Sequence, residues 1–76
     1  MKEKILIIED DREFAMLTRD FLEGESYSVL VKESGAGFLE IVAEYMPEII
    51  LMDRTLPGNI DGLELVYQMR ESGVDI

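Results

Sequence analysis

Two acidic groups in this 76-residue chain stand where chemistry could be done. Glu9, Asp10 and Asp11 follow directly on the apolar run Ile5-Leu6-Ile7-Ile8, and Asp53 closes a second run, Ile49-Ile50-Leu51-Met52. Carboxylates crowded at one place repel one another. A hard divalent cation that prefers oxygen ligands relieves that repulsion. Mg²⁺ in particular takes one or two carboxylates, keeps several waters and leaves room for a phosphate. A carboxylate held beside it can act as nucleophile toward a phosphoryl group, giving an aspartyl phosphate. Catalysis of that transfer is mostly positioning and charge neutralisation. The chain has no histidine and no cysteine, which excludes thiol or imidazole zinc sites, Ser-His-Asp catalysis and disulfides.

Not every acid needs that role. Asp10 or Asp11 could cap a following helix, and capping or solvation is the better reading of Asp11. Asp61, ahead of Gly62 and Leu63, also reads as a cap. Asp10 and Asp53 are harder to explain that way, because of the elements that carry them.

Ile5 to Ile8 is continuous and rich in β-branched residues, as expected of a strand buried on both faces of a parallel sheet. Residues 12–23 form a helical pattern, with Phe14, Leu17, Thr18, Phe21 and Leu22 on one side and Gly24 at its end. Tyr27 to Val31 is a second strand. Phe38, Ile41, Val42 and Tyr45 mark a second helix that Pro47 stops. Glu48 to Asp53 is a third strand, and residues 56–62 are turn chemistry throughout. A third helix spans about Leu63 to Ser72, closed by Gly73.

The order βαβαβα predicts an α/β fold with a parallel sheet and right-handed crossovers. In such a sheet, ligands bind in the crevice beyond the carboxyl ends of the strands. Asp10 and Asp53, distant in sequence, are therefore expected to meet in space.

Seventeen acids face seven bases, a formal charge of −10. That balance argues against nucleic acid, whose binders cluster Lys and Arg on phosphates, and against an anionic membrane surface. The apolar run at the N-terminus is too short for a signal-peptide core, and no run approaches membrane-spanning length. The expectation is a cytoplasmic chain.

Taken together the motifs resemble a response-regulator receiver domain of two-component signalling. Ile5 to Asp11 resembles that family's first strand and its acidic pair. Met52 to Gly58 resembles the phosphoacceptor strand and its following loop, and Asp61 to Leu65 resembles the start of the third helix. The resemblance runs along residues 1–76 and implies the N-terminal half of a flavodoxin-like, three-layer receiver with strand order 2-1-3. It implies Asp53 as the phosphoacceptor and Mg²⁺ as the cofactor. Asp10 and Asp53 would bind the ion directly, with the backbone carbonyl of Thr55 as a further ligand and Glu9 supporting through water. Pro57 and Gly58 would shape the loop that presents the Thr55 carbonyl. A histidine kinase or phosphotransfer protein would supply the phosphoryl group.

The sequence also departs from the family. The Ser or Thr of a fourth strand and the Lys of a fifth are missing, so phosphotransfer is expected to be slow or absent. The loop over residues 57–62 is one residue longer than the commonest version, and Arg54 reads as a solvent-facing cation. With order 2-1-3 the third strand is a sheet edge, exposing Ile49 to Met52. A homodimer through the third strand and third helix is expected, either packed as a six-stranded sheet or domain-swapped. The competing expectation is a truncated receiver fragment that serves only folding, dimerisation or protein interaction.

Overall fold

The computed structural model describes residues 2–76. Three parallel strands, β1 (Lys4–Ile8), β2 (Ser28–Lys32) and β3 (Ile49–Met52), form one sheet in the order β2-β1-β3. Helices α1 (Arg12–Gly24), α2 (Phe38–Tyr45) and α3 (Gly62–Glu71) follow the strands in turn. The register pairs Ile5 with Val29 and Ile49, and Ile7 with Val31 and Leu51. β1, in the middle, is buried from Ile5 to Ile8, which is why its sequence is an unbroken apolar run rather than an alternating one.

Strand alternation divides the core in two. Leu6 and Ile8 point toward α2 and α3 and pack with Phe38, Val42, Leu56 and Met69. Ile5 and Ile7 point to the opposite face, which α1 covers through its buried Ala15. The chain is thus a three-layer α/β unit of the flavodoxin-like kind, as the sequence predicts.

Asp11 caps α1, as the capping reading of that residue expects, its Oδ1 accepting from the Phe14 N–H at 3.0 Å. Gly24 does not supply the left-handed residue at the end of α1. The helix runs through it, and Ser26 takes φ 75°. The Tyr27 N–H donates to the Leu22 carbonyl and the Ser26 N–H to the Glu23 carbonyl, both at 3.1 Å, the bond pair of a Schellman ending. α3 ends in the same way, there with Gly73 at φ 94° as expected.

Two further differences matter for function. Thr55–Leu56 (β4) and Ile60–Asp61 (β5) pair as a short antiparallel ladder within the segment read as turn throughout. Pro57 with fixed φ, followed by Gly58 at φ 81° and Asn59 at φ 58°, turns the chain between them. The apolar stripe of α1 is also rotated away from the sheet. Ala15 faces inward, while Phe14, Leu17 and Phe21 stay 58%, 66% and 68% exposed. Among the described residues no helix is long and apolar enough to cross a membrane.

Candidate functional site

The site is built by the ends of β1 and β3. The Asp53 N–H donates to the Ile8 carbonyl at 2.9 Å, continuing the strand pairing one residue past β3. The Glu9 N–H donates to the Lys32 carbonyl at 3.0 Å, on the other side of β1. Both acids are therefore fixed by sheet hydrogen bonds at the same edge. Asp10 follows Glu9 as the chain turns toward the Asp11 cap of α1.

At that edge Glu9, Asp10 and Asp53 each place a carboxylate oxygen within 4.8 Å of the others. Glu9 and Asp53 are half-buried and Asp10 is exposed, so the cluster opens to solvent. A groove of about 120 Å³ runs down from it between α1 and β3, lined by Ile7, Phe14, Thr18 and Leu51 among others. Three of the four residues singled out from the sequence are thus brought together. The fourth, Thr55, opens β4, and its N–H donates to Asp53 Oδ1 at 3.3 Å.

The charges in the cluster are strongly perturbed. The Glu9 carboxyl is pushed up to about 7, chiefly by its hydrogen bond with Asp53, then by burial and by the charges of Asp53 and Asp10. The same contact holds Asp53 below the ordinary carboxylate range. The N–H groups of Thr55 and Arg54 act in the same direction, against a desolvation effect that opposes them. Near neutral pH Glu9 is accordingly partly protonated and hydrogen-bonded to an ionised Asp53. A group of oxygen donors that retains a proton near pH 7 has more negative charge than its surroundings compensate. That donor set fits a hard divalent cation such as Mg²⁺.

The loop beside the cluster is tied to α3. Asp61 caps α3, its Oδ1 accepting from the Leu63 N–H at 2.9 Å. The same oxygen accepts from Arg54 Nε at 2.7 Å. Arg54 is solvent-facing, as the sequence suggested, but it is also paired, a contact that sequence reading missed. The seven-residue separation carries a signal only once the β4–β5 ladder is known, because the ladder sets Asp61 opposite Thr55. Gly62 closes the arrangement. A Cβ there would lie 1.9 Å from the Asp53 carbonyl oxygen and 2.7 Å from Met52 Cγ, so only glycine fits.

The response regulator receiver domain family matches residues 5–76. The response regulator MprA of Mycobacterium sp. (strain KMS) is 33% identical over 76 residues, covering 100% of this chain and 33% of that protein. Sporulation initiation phosphotransferase F of Bacillus subtilis (strain 168) is 33% identical over 70 residues, covering 92% of this chain and 56% of that protein. The BeF3-activated N-terminal receiver domain of Klebsiella pneumoniae RstA superposes with a TM-score of 0.84 at 33% identity, over 91% of this chain and 58% of that one. The chain therefore spans between a third and somewhat over half of the length of these relatives.

Proposed function

Because the chain belongs to the response regulator receiver domain family, we propose that Asp53 accepts a phosphoryl group from a phosphohistidine of a histidine kinase or phosphotransfer protein. The family works in phosphorelay signalling. The observation that carries the assignment to Asp53 is the meeting of its carboxylate with those of Glu9 and Asp10 at the strand ends.

An Asp53 carboxylate oxygen attacks phosphorus, and an O–P bond forms as the P–N bond to the imidazole breaks. The electron pair of that bond returns to the ring nitrogen. Asp53 is suited to attack because its lowered pKa keeps it ionised and its backbone is anchored to Ile8. The Thr55 N–H on Oδ1 orients the carboxylate. Asp10, Asp53 and the backbone carbonyl of Thr55 would hold Mg²⁺ directly, with Glu9 supporting through water. When bound, the ion supplies the positive charge that offsets the phosphoryl oxygens.

The test uses a phosphorylated histidine donor. Label should pass to the wild-type chain with Mg²⁺, be sensitive to hydroxylamine as an acyl phosphate is, and fail to reach Asp53→Asn. Label that persists on Asp53→Asn would overturn the assignment.

A second reading, self-association without phosphotransfer, has an observation of its own. β3 is an edge strand with Ile49 and Leu51 each 40% exposed, beside the exposed Phe14 and Leu17 of α1. A two-fold axis perpendicular to the sheet would pair β3 antiparallel with its copy. Both α1 layers would then lie on one side, and the two sets of Ile49 and Leu51 would merge there. A homodimer of this form, in the cytoplasm, is compatible with either phosphorylation outcome. Leu51→Lys, a charge on the edge, should turn a sedimenting dimer into monomer. A monomeric wild type would remove this reading and leave the first untouched.

A further inference from the structure

Arg54 lies between Asp53 and Thr55 and is held twice by the start of α3. Its Nε pairs with Asp61 Oδ1 at 2.7 Å, and its carbonyl accepts from the Gly62 N–H, also at 2.7 Å. Asp61 is in turn fixed by capping Leu63. Both charges respond to the pair: Asp61 is held below the usual carboxylate range and Arg54 above its ordinary value. Besides the two-residue β4–β5 ladder, the intervening loop is anchored by Leu56, its one buried side chain, and an open cleft of about 290 Å³ is lined by Arg54, Thr55, Asn59, Ile60 and Asp61.

We propose that Arg54 is a positioning residue for the Mg²⁺ site: its ion pair with Asp61 closes the loop onto α3 and so fixes the Thr55 backbone. This rests on the reading of Asp10, Asp53 and Thr55 as the cation's ligands. It makes a prediction opposite in sign to simple electrostatics. A guanidinium beside a cation site repels the cation, so by charge alone removing it tightens Mg²⁺ binding. If Arg54 acts by holding Thr55, removing it loosens binding instead. An exposed ion pair can supply about a two- to five-fold effect.

Mg²⁺ titration by calorimetry separates the two. Arg54→Gln should weaken affinity about two- to five-fold despite the loss of positive charge. Asp61→Asn, which keeps a good helix cap, should weaken it to a similar degree. The double variant should be no weaker than either single, because both remove one interaction. Arg54→Lys, which keeps a charge able to pair, should recover part of the loss. Tighter binding in Arg54→Gln, or a double variant equal to wild type because the charges cancel, would refute the positioning role. In that case loss of Mg²⁺ binding in Asp10→Asn would still uphold the site itself. Absence of saturable Mg²⁺ binding in the wild type would overturn both.

Discussion

Replacing Gly62 with Ala tests how tightly α3 is set against the acceptor strand. The added Cβ would meet the Asp53 carbonyl oxygen at 1.9 Å and the Asp53 carbonyl carbon at 3.0 Å. An ordinary carbon–oxygen contact is about 3.3 Å or longer, so backbone must move by about 1.4 Å. Both parties to the clash are constrained: Asp53 by its N–H bond to Ile8, and Gly62 by its N–H bond to Arg54 at 2.7 Å. Overpacking of this kind costs about 1–3 kcal/mol. Loss of the Gly62 hydrogen bond adds about 1 kcal/mol. The better helix propensity of Ala returns about 0.5–1 kcal/mol. The net destabilisation is about 1–3.5 kcal/mol, a large share of what a chain this small can have. In urea, with a slope of about 1 kcal/mol/M, the midpoint should fall by about 1–3.5 M. Gly24→Ala is the matched control, since a Cβ there meets nothing within 4 Å. It lies within a helix and should gain about 0.5–1 kcal/mol. A Gly62→Ala midpoint equal to that of wild type would refute the close approach of α3 to Asp53.

Other expectations follow from single contacts. Ser26→Gly should stabilise by about 0.5–1 kcal/mol, because φ 75° strains a residue with a Cβ; thermal melting checks it. Asp11→Ala should cost about 1 kcal/mol through the lost cap on α1 and leave Mg²⁺ affinity nearly unchanged, whereas Asp10→Ala should abolish that affinity. Asp61 has a carboxyl pKa lowered chiefly by Arg54, so its stabilisation is complete above the usual value of 3.8 and is lost as pH falls through the lowered one. The stability gap between wild type and Asp61→Asn, measured by urea unfolding, should therefore close in strong acid and be full at pH 7.

The parts of the fold that the sequence made legible are those where one physical cause acts alone. β1 is a continuous apolar run because both of its faces are covered. The convergence of Asp10 with Asp53 follows from parallel topology, which sets successive strand ends on one edge. Where two causes compete, the reading fails. Glycine adopts the left-handed conformation most easily, so Gly24 reads as the end of α1. The position of the turn is instead set by the Schellman bonds from Ser26 and Tyr27, and Ser26 bears the strain. Apolar spacing in α1 pointed to Phe14, Leu17 and Phe21, yet the helix turns Ala15 to the sheet. A small residue lets a helix approach a sheet closely, and periodicity does not weigh size. The β4–β5 ladder was hidden in turn chemistry, since a two-residue strand is too short for any period. With it the Arg54–Asp61 pair was hidden as well.

The central claim is that Asp53, set among Glu9 and Asp10, takes up a phosphoryl group with the help of a divalent cation. Intact-mass measurement after incubation with Mg²⁺ and a small acyl phosphate donor tests it most directly. A gain of one phosphoryl group in the wild-type chain, accumulating slowly over a long incubation, is predicted, absent from Asp53→Asn and absent when a chelator removes the cation. A folded wild-type chain that gains no mass, or an adduct that survives in Asp53→Asn, would contradict it.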